Sequence, residues 1–286
     1  MSKFLECLKV EIEKRNANVF RIAEMKGDSE IEVIDLVETN ACQDIYSVAK
    51  AFTVTAVGML CDRGLLSPDE IVTNILSDEC PVDCKSIWRK TTVDMLMRHQ
   101  VGLAEGFLDI DACDSNTFGD DYLSYTLTAP ICESGEPRYC YTDAAFYILS
   151  RIVAKRAGMT MDDFLRKNLF APLGCREVAW SHCPMGHAMG ATGLYIRVED
   201  MVKLGALYRD GGVWRGKRIL SEEWTETVIS RGYELCGIAG GKAYGKGGMK
   251  GQFLIVIPGE SRVCAWQSFD ERYIHDIINF VAKYRD

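Results

Sequence analysis

The sequence predicts an α+β fold: one antiparallel sheet made by both ends of the chain, flanked by terminal helices, with an inserted all-helical domain. Strand-like runs lie near the two ends, helical periodicity fills the middle, and residues 3–15 and 270–284 read as the terminal helices. This divides the chain into a discontinuous sheet domain, residues 1–66 and 190–286, and a mainly helical domain, residues 67–189. At 286 residues the chain is long enough to bury roughly 75% of its unfolded surface.

The elements follow in order. Residues 3–15 alternate apolar and charged side chains with a helical period. Residues 19–23 and 31–36 read as a hairpin, with Lys26-Gly27-Asp28 as turn chemistry and strict alternation in the second run. The apolar residues 51–60 continue a helix that begins near Ser47 and stops at Gly64. Ser67-Pro68-Asp69-Glu70 opens a short helix, and residues 91–98 form another. Residues 104–137, with Pro130 and Pro137, weaken into loop apart from one helix around 122–127. Residues 143–158 carry Ala, Ile and Leu at core spacing, and a helix over 160–170 is ended by Pro172 and Gly174. Residues 190–194 read as a tight turn beside a strand. Residues 198–208 and 221–230 are helices, the second capped by Ser221 with Glu222 and Glu223 in its first turn. Residues 235–239, 252–257 and 262–268 are strands, the last two joined by Pro258-Gly259-Glu260.

Composition narrows the function. Hydrophobic content of 48% and charged content of 26% are those of an ordinary soluble protein. Against 33 basic residues stand 41 acidic ones, and a net charge of −8 disfavours nucleic acid or an anionic membrane as partner. No apolar run reaches the ~18 residues of a membrane span. Glu6, Lys9 and Glu11 interrupt the N-terminal apolar residues, so no signal peptide is read and a cytoplasmic protein is expected. Of twelve cysteines only Cys80 and Cys84 form a close pair, and no histidine is near them, so neither zinc nor any other metal or cofactor is expected. The others, such as Cys61, Cys140 and Cys264, sit in apolar surroundings and read as free thiols.

Ser47 and Lys50 stand three residues apart at a helix start, where both side chains project from one face within mutual reach. A serine hydroxyl becomes a nucleophile when a base takes its proton, and a lysine kept neutral by burial or a second cation can do so. One Ser-x-x-Lys is expected by chance in about 290 residues at frequencies of about 6% each. This chain has one, so its meaning depends on partners further along.

Those partners occur, and in order. Ser47-Val48-Ala49-Lys50 is followed by Tyr141-Thr142-Asp143 and, late in the chain, by Lys246-Gly247-Gly248. Between and around them lie His99-Gln100-Val101-Gly102-Leu103, Ala171-Pro172-Leu173-Gly174, Gly193-Leu194 with Glu199-Asp200 and Gly211-Gly212, and Gly251-Gln252. Over roughly residues 40–268 the chain thereby resembles the serine beta-lactamase and penicillin-binding-protein superfamily. It is most similar to the branch of class C beta-lactamases, DD-peptidases and related esterases. That family carries Ser-x-x-Lys, Tyr-x-Asn and Lys-Thr-Gly or a variant.

The resemblance implies a beta-lactamase/transpeptidase-like fold with the active site at the interface of its two domains. It implies that Ser47 is acylated and that Lys50 and Tyr141 share the removal of its proton. A phenol acts as a base only where nearby cations favour its ionised form, a field Lys50 and Lys246 would supply. The oxyanion hole would be the N–H groups of Ser47 and Met249, each such donor being worth about 3 kcal/mol. Asp143, Lys246, Gly247, Gly248 and Met249 are the implied substrate-binding positions. His99, His182, His187 and His275 suggest no Ser-His-Asp arrangement and read as structural.

Two departures from the family pattern shape the expected substrate. Asp143 stands where the family has Asn, and a carboxylate only accepts hydrogen bonds. Near Lys50 it would hold that lysine charged and repel anionic or carbonyl-rich substrates. Gly247 stands where the family has Thr, whose hydroxyl helps hold the carboxylate of a beta-lactam or peptide. Losing that charge-assisted hydrogen bond costs ~1.5–3 kcal/mol of binding. The interval from Tyr141 to Lys246 is also short for a class C beta-lactamase. The reading is therefore a serine hydrolase acting through an acyl-serine on a small ester or amide. A true beta-lactamase or DD-peptidase turning over a lactam, and a catalytically silent ligand-binding relative, are the alternatives.

Overall fold

The computed structural model describes residues 2–131 and 138–286; Pro137, expected in a loop, lies outside the described residues. The chain opens with α1 (Lys3–Arg15), β1 (Val19–Lys26), β2 (Glu32–Asp35), β3 (Cys42–Asp44) and a tight turn, Tyr46–Val48, before α2 (Ala49–Cys61). Next come α3 (Val72–Ile75), α4 (Val93–Met97), α5 (Tyr122–Thr128), α6 (Asp143–Ala157), α7 (Met161–Leu165), a widened turn over Arg166–Phe170 and α8 (Ala171–Leu173). The remainder holds β4 (Ala179–Trp180), β5 (Leu194–Arg197), α9 (Val198–Arg209), β6 (Val213–Trp214), β7 (Lys217–Arg218), α10 (Glu222–Arg231), β8 (Cys236–Ile238), β9 (Ala243–Gly248), β10 (Gln252–Ile257), β11 (Arg262–Ser268) and α11 (Ile274–Lys283).

Two compact units result: residues 1–51, 169–179 and 194–286, and residues 52–168 and 180–193. The first boundary falls within α2 rather than at the helix end expected near residue 66. Beyond Phe52 this helix belongs to the second unit, where the Thr53 hydroxyl donates to the Gly190 carbonyl at 2.6 Å. Residues 169–179, expected in the helical domain, join the first unit, where Lys203 Nζ donates to the Gly174 carbonyl at 3.1 Å.

The first unit is built on a six-stranded antiparallel sheet ordered β2-β1-β11-β10-β9-β8. The two ends of the chain meet at its centre, where Ile22 pairs with Trp266 and Ala23 with Ala265. Every residue of β10 and β11 is buried, as continuous apolar runs covered on both faces require. Leu5 and Leu8 of α1 with Ile277 and Val281 of α11 form one cluster with Ile22, Ile255 and Trp266. From the other side α9 packs on β10 and β11. Within α9, Gly205 makes that closeness feasible: a Cβ there would lie 2.5 Å from Val263 Cγ1 and 3.0 Å from Leu254 Cδ1.

The second unit is helical around α6, which buries Asp143 through Val153 without a break and packs against α3, α4, α5 and α7. Thr142 caps its start and Gly158, at φ +67°, its end. No helix among the described residues is long and apolar enough to cross a membrane.

Some local expectations change. Ser67–Glu70 is a turn, with the Ser67 N–H donating to the Glu70 carboxylate at 2.8 Å, and the helix begins only at Val72. Pro172 lies inside the last helical turn rather than ending it, because a proline early in α8 needs no N–H partner; Gly174 is the stop. Local propensity does not mark the strand β9, because Gly245, Gly247 and Gly248 depress it; the family resemblance alone implies that Lys246-Gly247-Gly248 lies on a late strand.

Gly205→Val should overpack the α9–sheet contact and lower stability by about 1–3 kcal/mol, read as a lower urea midpoint. An unchanged midpoint would contradict this account of the helix–sheet spacing.

Candidate active site

The turn carrying Ser47 is fixed from its N-terminal side. Asp44 on β3 pairs with Tyr195 on β5, and the Ile45 N–H donates to the Leu194 carbonyl at 3.0 Å. The Tyr46 N–H then donates to the Asp44 carboxylate at 2.8 Å, while Tyr46 adopts φ +47°. A bulky residue in the left-handed region costs of order 1–3 kcal/mol and persists only where its surroundings impose it. Ser47 is therefore presented by a strained tight turn, with the regular helix starting two residues later at Ala49. Lys50 Nζ donates to Ser47 Oγ at 3.0 Å, and the Lys50 side chain is fully buried.

The strand β9 runs beside this turn. A Cβ on Gly248 would lie 2.4 Å from the Ile45 carbonyl oxygen and 3.3 Å from the Ser47 nitrogen, so any side chain there would push the strand away. Strand alternation puts Lys246 and Gly248 on one face and Gly247 on the other. Gly247 pairs with Phe253 across the ladder, and a Cβ at 247 would meet the Phe253 ring at 3.0 Å. That ring is itself stacked on Trp266 at 5.2 Å. A threonine at 247 would press on this stacked ring, which would have to give by a few tenths of an ångström. Met249 follows in the tight turn Met249–Gly251.

Lys246 brings a partner that sequence reasoning missed. Its ammonium forms an ion pair with Glu234, whose side chain is 5% exposed against 13% for the lysine. Glu234 precedes β8, adopts φ +64° and donates its N–H to the Gly232 carbonyl at 2.8 Å. Nothing in the local sequence marks one glutamate among the chain's acidic residues as this partner. Only the strand pairing of β8 with β9 brings the segment alongside.

The other candidate residues belong to the second unit. Tyr141 is held by backbone contacts: its carbonyl accepts from the Gly106 N–H at 2.9 Å, and its ring lies 4.5 Å from that of His99. His99 Nδ1 accepts from the Thr142 N–H at 3.3 Å, and its carbonyl accepts from the Cys140 N–H at 2.9 Å. This acceptor role for Nδ1 puts the imidazole proton on Nε2. The Thr142 hydroxyl donates to the Phe107 carbonyl at 2.9 Å. A buried histidine thus pins the Tyr-x-Asp tripeptide.

Asp143, the first residue of α6, is buried, and a carboxylate at a helix start is favoured by the helix dipole. It does not stand alone: ligand oxygens of Asp109, Asp111 and Asp143 all lie within 4.8 Å of one another. Asp109 accepts from the N–H groups of Asp111 and Ala112 at 2.9 and 3.2 Å, and the Thr192 hydroxyl donates to Asp111. Among the described residues this is the one grouping of three such side chains. Its oxygen-only donors would suit a hard cation rather than zinc, and those hydrogen bonds hold Asp109 and Asp111 in place.

The described cysteines are all free thiols, although Cys61 and Cys140 are only partly buried. Burial, with Asp62 and Glu70 adding to it, pushes the Cys61 thiol up to about 12; burial, with neighbouring Cys84, pushes Cys80 up to about 11. Burial also raises the fully buried Cys264 thiol well above the ordinary thiol range. Such thiols stay protonated at neutral pH and are poor nucleophiles.

Comparison with known proteins bears on this arrangement. The family model described as Beta-lactamase matches residues 26–268. Penicillin-binding protein 4 of Amycolatopsis lactamdurans is 29% identical over 283 residues, covering 80% of this chain and 72% of that one. A 6-aminohexanoate-dimer hydrolase of Paenarthrobacter ureafaciens is 26% identical over 203 residues, covering 66% of this chain and 50% of its own length. A crystal structure of a penicillin-binding-protein homologue from Caulobacter crescentus shares the fold, with a TM-score of 0.74, 16% identity and 98% coverage of both chains. The match over most of the chain, on a fold with this antiparallel sheet and these helices, makes the protein a member of the beta-lactamase family.

Proposed function

We propose that the protein is a serine hydrolase that acts on small esters or amides through an acyl-serine intermediate. The observation that carries this reading is the 3.0 Å contact between the Ser47 hydroxyl and the fully buried Lys50 amine, on a turn whose backbone is strained. With Lys50 neutral, the same contact passes the proton the other way, from Ser47 Oγ to Nζ. Family membership supports the reading, as does the name of the 6-aminohexanoate-dimer hydrolase among the relatives.

In this mechanism Ser47 Oγ forms a bond to the substrate carbonyl carbon while its proton goes to Lys50, with Tyr141 sharing the transfer on the strength of the family pattern. The carbonyl π electrons move to oxygen, where the N–H groups of Ser47 and Met249 stabilise them. The bond to the leaving alkoxide or amine then breaks, and the stored proton goes to that group. Water repeats the sequence: it gives a proton to the same base, attacks the acyl carbon and releases Ser47 as its hydroxyl. On the family pattern, Lys246, Gly247, Gly248 and Asp143 are the substrate-binding positions.

Two features weigh against a lactam as the preferred substrate. Gly247 lacks the hydroxyl of the family's threonine, and Asp143 shares its surroundings with Asp109 and Asp111. Both make retention of a carboxylate-bearing substrate less favourable.

Ser47→Ala should lower turnover of a short-chain nitrophenyl ester by about a thousandfold or more, and intact-mass spectrometry should find one fluorophosphonate adduct on the wild type and none on the variant. An unlabelled wild type with no ester turnover would leave a binding protein in place of an enzyme. Strong cephalosporin turnover without esterase activity would make it a lactamase instead.

Asp143→Asn should speed penicillin acylation, since it removes a carboxylate and supplies an amide donor. Stopped-flow or quenched intact-mass kinetics of the acyl-enzyme will read this. A slower or equal rate contradicts the role given to position 143.

A further inference from the structure

The ion pair at Lys246 carries the substrate preference further, on the footing of the acyl-serine reading. We infer that Glu234 is a specificity-determining positioning residue: by pairing with Lys246 it withholds that lysine's charge from substrate, so that the site takes neutral acyl groups and turns away those ending in a carboxylate.

The geometry supports this from three directions. The pair is largely out of solvent, so its mutual field is weakly screened and a competing substrate anion must displace a fixed partner. Glu234 is held by its own backbone: its N–H bonds to the carbonyl of Gly232, the C-terminal cap of α10, and the residue sits in the left-handed region at φ +64°. Most residues avoid that conformation, so the fold sets the direction in which the side chain leaves the backbone, and burial beside Lys246 restrains the carboxylate. Finally, Lys246 is on the same face of β9 as Gly248, whose backbone abuts the Ser47 turn; the lysine charge is therefore the one on this strand positioned to act near the nucleophile. A carboxylate already bound to that ammonium competes directly with any second carboxylate.

The test uses two esters with one leaving group: p-nitrophenyl butyrate and the p-nitrophenyl hemiester of glutaric acid, whose acyl chain ends in a carboxylate. For wild type, Glu234→Gln, Glu234→Asn and Glu234→Asp, the ratio of kcat/KM for the neutral ester to that for the anionic one is measured at low and high salt. Glutamine keeps the side-chain length, and asparagine suits the left-handed backbone, so a folding failure of one leaves the other. Both neutral variants should lower the ratio by about tenfold or more, chiefly through KM of the anionic ester, and the gain should shrink as salt rises. Glu234→Asp, which keeps the charge, should stay near the wild-type ratio.

Equal losses on both esters, with the ratio unmoved, would make Glu234 a structural residue and overturn the inference while leaving the hydrolase standing. A wild type that turns over neither ester and takes no fluorophosphonate would overturn the acyl-serine reading and this inference with it.

Discussion

The backbone contact between Gly248 and the Ser47 turn is the constraint on which the rest of the first unit's site depends. A hydroxyl and an amine at helical spacing are common on protein surfaces. Here the turn that bears Ser47 is tied to β5 through Ile45 and to Asp44 through Tyr46, and β9 closes against it with no side chain between. The strand can come that near because the sheet behind it is rigid: β10 and β11 are buried throughout, and α9 packs on them through Gly205. Stability of the sheet and presentation of the serine are one problem, since loosening β10 would also move β9.

The two lysines of this framework have different partners. Lys50 has no exposed surface and contacts Ser47, while Lys246 faces Glu234. In the second unit, three aspartates converge beside the start of α6. A buried ion pair contributes little net stability on its own, because desolvation offsets most of the attraction. Its retention at Lys246 therefore fits a role in choosing substrates better than a role in holding the fold. The same reasoning separates Lys246 from a plain solvated lysine at a strand end: it is mostly buried, and its charge is already answered.

His99 illustrates how a conspicuous residue is absorbed by structure. Its ring nitrogen accepts from Thr142, its carbonyl from Cys140, and its face lies against Tyr141 and Phe146. With its accepting nitrogen engaged by the backbone, it serves to hold the Tyr-x-Asp segment in register before α6.

The sequence by itself determined the helix at each end, the hairpin pairs, the long core helix 143–157 and the order of the three motif boxes, because period, caps and turn residues are local signals. Family kinship was legible for the same reason: motifs in a fixed order survive where overall identity is low. The tertiary structure alone decided the extent and pairing of the strand β9, where glycines erase the local signal, the strain at Tyr46, and the division of α2 between the two units. It alone decided too that Glu234 answers Lys246, that the Phe253 ring lies beside Gly247, and that Asp109 and Asp111 join Asp143. Each of these is a contact made by chain folding between segments that carry no mark of one another, and long-range pairing of that kind leaves no periodic trace in either partner.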